Sequence, residues 1–151
     1  MAGQSRALSI AIIAVAQVLT LSLWFSATAV VPSLRAAGAI STTQQSLFTS
    51  AVQLGFVAGS LLSAVLGLAD RLDPRRFFAA SALAGAIANG LVAALEPGSP
   101  TVIVLRFVTG ATLAGVYPVG MKLAASWDGT SGRQDMGLLV GLLVGALTLG
   151  S

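Results

Sequence analysis

The stretch Leu66-Gly67-Leu68-Ala69-Asp70-Arg71-Leu72-Asp73-Pro74-Arg75-Arg76-Phe77 is an island of charge in an apolar chain. Upstream, residues 36–69 carry no charged side chain; downstream, residues 77–95 carry none. A helix crossing a bilayer needs roughly 20 mostly apolar residues at about 1.5 Å rise each. Both flanks approach or exceed that length, so the island reads as a short loop between two membrane-spanning helices. The same pattern extends outward. Residues 7–34 and 136–151 are uncharged, and residues 97–121 contain one charge, Arg106. The expectation is an all-α, polytopic transmembrane bundle of about five helices near 8–31, 44–68, 75–95, 100–125 and 136–151. These form one domain over 1–151, with the last helix incomplete.

Composition supports this reading and removes others. The 151 residues are 56% hydrophobic and 9% charged, against about 45–50% and 25% in soluble domains. Eight basic and five acidic residues are too few to cover a soluble globule. The net charge of +3 comes without a basic cluster, so nucleic acid is not expected as a partner. Cys and His are absent, which removes disulfides, thiolate or imidazole metal sites and a Ser-His triad. No cofactor, metal or enzymatic activity is expected.

Local signals fall where the charge pattern already puts the loops. Ser41 and Thr42 precede Gln44 and Gln45 by three residues, the spacing of a capping box. Asp73-Pro74 and Ser99-Pro100 each place a capping side chain before a proline suited to the first helical position. Glu96-Pro97-Gly98 is a turn. Ala27-Thr28-Ala29 mimics a signal-peptide cleavage site, but the apolar run around it far exceeds the 7–15 residues of a signal core.

Lys and Arg in short loops set orientation. With the N-terminus inside, the cytoplasmic side holds Arg6, Arg71, Arg75, Arg76, Lys122 and Arg133, and the outer loops hold Arg35. A multi-pass inner-membrane protein with a cytoplasmic N-terminus is therefore expected. Small residues recur every fourth position at Ala51, Gly55, Gly59, Ser63 and Gly67, at Ala82, Ala86, Gly90 and Ala94, and at Gly137, Gly141 and Gly145. In lipid, helices associate through such close-packing faces.

The charged loop resembles the cytoplasmic signature of the major facilitator superfamily, roughly G-x-L-a-D-R-x-G-R-[RK]. Leu68, Ala69, Asp70, Arg71 and Arg75 match in register; Leu66 stands at the opening Gly, and Asp73-Pro74 replaces the Gly-Arg step. Arg106-Phe107-Val108-Thr109-Gly110 is similar to the R-x-x-[QT]-G signature of that family's fourth helix. The fifth stretch is similar to the Gly-rich fifth helix without its usual Gly-Pro step. The resemblance covers residues 8–151. It implies a fold of twelve helices in two six-helix halves, of which this chain supplies part of the N-terminal half.

Candidate site residues follow from the helical faces and this resemblance. A charge in hydrocarbon is a functional-site hypothesis by default, and Arg106 is the clear case; the alternative is snorkelling to the outer headgroups. Arg106, Thr109, Gly110, Leu113 and Tyr117 share one helical face. Gln17, Thr20, Trp24 and Thr28 share another. The resemblance implies that the first and fourth helices line the central cavity, making Gln17, Thr20, Trp24, Thr28, Arg106, Thr109 and Tyr117 substrate-cavity candidates. For the threonines the alternative is hydrogen bonding to their own backbone; for Trp24 it is the interfacial belt. Pro118 is expected to weaken the fourth helix beside Tyr117. The resemblance also implies that Asp70, with Arg71, Arg75 and Arg76, forms a gating loop in which the acid pairs with a nearby arginine; the alternative for the three arginines is a plain topology signal.

The functional expectation is part of a secondary transporter moving a small solute by alternating access, not competent alone. Its partners are the lipid bilayer, a small-molecule solute and the remainder of the transporter or another copy. The alternatives are a small self-contained protein that oligomerises into a pore or exporter, and a non-transporting fragment.

Overall fold

The computed structural model describes residues 2–126. All regular structure among them is helical: α1 (Ala2–Ala36), α2 (Thr42–Leu66), α3 (Leu68–Arg71), α4 (Pro74–Ala93), α5 (Pro100–Leu113) and α6 (Tyr117–Ser126). Among the described residues, four segments are long and apolar enough to cross a membrane: Val15–Ala36, Thr42–Leu66, Pro74–Ala93 and Pro100–Leu123, the last formed by α5 and α6 together. The fifth expected helix, and the small-residue row at Gly137, Gly141 and Gly145, lie outside the described residues.

The helix starts follow the capping chemistry. The Ser41 hydroxyl accepts from Gln44 N–H at 3.2 Å, while Ser41 N–H donates to Gln44 Oε1 at 2.8 Å, completing the capping box. Thr42 takes a different part, accepting a hydrogen bond from Arg35 at the end of α1. Asp73 Oδ1 accepts from Arg76 N–H at 2.9 Å ahead of Pro74, and Ser99 Oγ accepts from Thr101 N–H at 3.3 Å ahead of Pro100.

The helix ends differ from the expected bounds in two places, and the fourth span breaks beside Tyr117, where Pro118 is expected to weaken it. α1 continues through Pro32 to Ala36 instead of stopping at residue 31. A proline in a membrane helix removes one donor, and its neighbours re-satisfy the backbone. α2 stops at Leu66 because Gly67 adopts the left-handed conformation at φ 61°, and its N–H returns to the Ala64 carbonyl at 3.1 Å. Gly67 is thus a helix terminator, not a packing residue; its lack of a Cβ is what allows the turn. The fourth span is not continuous. Gly115 and Val116 donate to carbonyls three residues back, Thr112 and Leu113, both at 3.0 Å. Pro118 has no N–H to offer the Ala114 carbonyl, so residues 114–116 tighten into turns before α6 begins.

α2 and α5 form the closest seam. A Cβ on Gly55 would sit 2.0 Å from the Phe107 carbonyl oxygen, and one on Gly59 would sit 2.5 Å from that of Ala111. The α2 row therefore packs as expected through Ala51, Gly55 and Gly59. The α4 row does not. Gly90 has no atom within 4 Å of a Cβ position, and Ala86 and Ala94 are exposed; Gly85 and Ala88 are the buried positions. The contact face of α4 is rotated because Gly85 must admit Thr112, whose Oγ1 would lie 2.7 Å from a Cβ there. Val31, Ile40, Phe48 and Val102 close the bundle at the end carrying the α1–α2 and α4–α5 connections. At that end Gln44 Nε2 donates to the Gly98 carbonyl at 2.9 Å.

Candidate functional site: a buried arginine node and a charged clamp

Arg106 sits on α5 four residues before Gly110, where the glycine seam draws α2 close. Its side chain is fully buried. Nη2 donates to the Trp24 carbonyl at 2.6 Å; Nη1 donates to the Leu23 carbonyl at 3.0 Å and to Asn89 Oδ1 at 3.2 Å; Nε donates to the Phe48 carbonyl at 3.5 Å. One guanidinium therefore ties α5 to α1, α2 and α4. The carbonyls are available because an oxygen already bonded within a helix keeps a second lone pair. Ser26 Oγ lies 2.9 Å from both Asn89 Oδ1 and the Leu23 carbonyl, extending the network along α1.

This geometry removes the snorkelling alternative, since a headgroup-seeking side chain keeps its charged end in water. It also has a sensible energy scale. Placing Arg at the centre of a membrane helix costs about 2.5–3.5 kcal/mol on insertion scales. Hydrogen bonds to a charged group contribute about 1.5–3 kcal/mol each, and Arg106 makes four. Its acceptors among the described residues are all uncharged oxygens.

The other cavity candidates separate into two groups. Gln17, Thr20 and Thr109 are buried inside the bundle. Thr20 Oγ1 donates to Ala16 O at 2.7 Å and Thr109 Oγ1 to Leu105 O at 2.8 Å, so both hydroxyl hydrogens are committed to their own helices. Gln17 Nε2 donates to the Tyr117 carbonyl at 3.2 Å, just past the break between α5 and α6, while its Oε1 is buried without a partner. Gly120 is the matching small residue, where a Cβ would meet Gln17 Oε1 at 2.1 Å. Trp24 and Tyr117 are half-buried and Thr28 is exposed. The Trp24 ring meets Phe56 edge-on at 5.3 Å. The seven candidates differ in burial, because the buried stripe of α1 runs through Ala27 and Val31 and leaves Thr28 exposed.

At the opposite end of the bundle, Lys122 Nζ donates to Asp70 Oδ1 at 2.6 Å and to the Ala69 carbonyl at 2.9 Å. The loop acid thus pairs with a lysine from the fourth span rather than with Arg71, Arg75 or Arg76, whose side chains are exposed. The left-handed turn at Gly67 and the single turn of α3 place Asp70 beside Lys122 of α6, while the loop arginines stay exposed. The hydrogen bond from Lys122, and then its positive charge, hold the Asp70 carboxyl below its ordinary range against a weaker opposing effect of desolvation. Both side chains remain well exposed, so water screens the pair.

Sequence reasoning did not single out Asn89, Ser26 or the pairing role of Lys122. Asn89 had a readable signal: it is the one amide within the uncharged stretch 77–95.

Four apolar spans joined by short polar connections, with a buried cation holding them, define an integral, multi-pass helical membrane protein. Residues 13–151 match the family model described as Major Facilitator Superfamily. The chain belongs to the major facilitator superfamily, whose members are transporters rather than enzymes. No curated protein and no solved structure matches it.

Proposed function

We propose that the chain serves as the N-terminal bundle of a secondary transporter that moves a small solute by alternating access against a second helical bundle. The observation that carries this is the Arg106 node. Alternating access rocks one bundle as a body against another, and a guanidinium bonded to α1, α2 and α4 from α5 makes these helices move together. The glycine seam between α2 and α5 adds to that rigidity.

On this reading the candidates divide by task. Trp24, Thr28 and Tyr117 offer surface to a solute. Arg106, Gln17, Thr20 and Thr109 hold the wall behind them. The Asp70–Lys122 clamp fixes the gating loop to the end of the fourth span, with Arg71, Arg75 and Arg76 free to meet headgroups or the second bundle. Those basic residues share one end with Lys122, whereas Arg35 lies at the other, which supports a cytoplasmic N-terminus in the inner membrane.

The test is flux into vesicles. The chain reconstituted alone should move no solute, and the chain joined to a complementary bundle should. Solute accumulation by the purified monomeric chain would instead favour the self-contained reading.

A further inference from the structure

A cavity of about 450 Å³ opens between α1 and α4 at the end bearing the α1–α2 and α4–α5 connections. That volume falls within the range of small-molecule sites, about 300–1,000 Å³. Its walls are largely apolar, with Val30, Leu34, Phe48, Val92 and Val102 among the lining residues. Its polar side chains are few: Ser33, whose hydroxyl donates to the Val30 carbonyl of its own helix, and the pair Ser26 and Asn89. Ser26 and Asn89 lie on its wall, and they are the two side chains of the Arg106 network.

The chemistry of that wall is one-sided. Arginine has donors and no acceptor, so Asn89 must turn its Oδ1 toward Arg106. Its amide nitrogen then faces away, and it makes no hydrogen bond to the described residues. The two N–H donors of that amide are left without an acceptor among the described residues, on a side chain that lines the cavity, and no described carboxylate pairs with the guanidinium behind it. In a low-dielectric setting such a charge favours an anion strongly. The carboxylate nearest in sequence to the rim, Glu96, is exposed and screened by water; Arg35 is engaged by Thr42.

We propose that this cavity is a binding site for an amphipathic monoanion, a carboxylate on an apolar chain. The carboxylate accepts hydrogen bonds from the Asn89 amide and faces the Arg106 charge through it, and the chain lies along Val30, Leu34 and Val92. The site is internal to this bundle and does not depend on transport, so failure of the transport reading leaves it standing.

The test uses the full chain in nanodiscs of zwitterionic lipid, with carboxyl-labelled decanoate as probe and empty nanodiscs as the partition background. Saturable binding is expected, displaced by unlabelled decanoate and not by decanamide or decyltrimethylammonium. Asn89→Asp is the decisive variant: it supplies Arg106 with an internal carboxylate, so the fold is kept while decanoate affinity falls about tenfold or more. Val92→Phe, which fills the cavity, should abolish saturable binding by a route that leaves Arg106 untouched. Hexanoate, which stays in water, separates the two sources: binding by both acids marks a site reached from water, and binding by decanoate alone marks one reached through the bilayer. Equal binding of decanamide, or unchanged affinity in both variants, would overturn the proposal. So would a cavity already filled by protein, read as no saturable decanoate binding to the wild-type chain.

Discussion

Gly110 approaches Val52 so closely that a Cβ on the glycine would lie 2.0 Å from the Val52 carbonyl oxygen. Backbone meets backbone there, and no side-chain rotation relieves an added methyl group. Gly110→Ala is expected to destabilise the bundle by about 1–3 kcal/mol or more, the scale of overpacking. Gly90→Ala is the control, since nothing lies within 4 Å of its Cβ position. It should be neutral or stabilising by up to about 1 kcal/mol, because alanine is the better helix former. Unfolding of the two variants in the same detergent compares them; equal losses would mean that the seam is not the tight contact.

Arg106→Lys keeps the charge and loses the planar fork. A single ammonium cannot reach the carbonyls of Trp24, Leu23 and Phe48 together with Asn89. Loss of one or two of these bonds should cost about 1.5–3 kcal/mol each, seen as a lowered thermal midpoint. Transport in a full-length context should fall with it. A variant with wild-type stability and flux would show that the node is dispensable.

The Asp70–Lys122 clamp has a defined pH sense. Lys122 lowers the Asp70 pKa in the folded protein, so its contribution is fully present above the ordinary aspartate value. It is lost as pH falls through the lowered value. Between neutral pH and the ordinary carboxylate range the clamp should be unaffected. Asp70→Asn should mimic the acid form at neutral pH, raising the accessibility of a Cys placed next to Lys122. If Asp70→Asn and Lys122→Gln have independent, additive effects on that accessibility, the two residues are not coupled.

Topology is directly readable because the chain has no native Cys. Single Cys probes between residues 71 and 76 are expected to react only from the cytoplasmic side, and probes between residues 35 and 41 only from outside. Labelling of the first set by an impermeant reagent on intact cells would invert the orientation.

Much of the architecture is legible in the sequence, for particular reasons. The helical spans follow from where charges are absent, and charge is the one property hydrocarbon will not accept without a partner. The caps at Ser41, Asp73 and Ser99 are contacts within three residues, so local sequence contains both members. The Asp70 loop and the Arg106 step carried the family resemblance, and Arg106 was already marked by its isolation.

What tertiary structure decided is where each face points and what each charge meets. A row of small residues on α4 looked equivalent to the row on α2. The helix rotation that buries Gly85 and leaves Gly90 bare depends on Thr112, a residue far along the chain. Asp70 stood among three nearby arginines, yet its partner is Lys122, 52 residues away, because Gly67 turns the loop toward α6. Arg106 had no visible acceptor in the sequence at all. Its acceptors are backbone oxygens and the Asn89 amide, and backbone carbonyls occur at every position. Only the packing of α1, α2 and α4 around α5 selects which of them face the guanidinium.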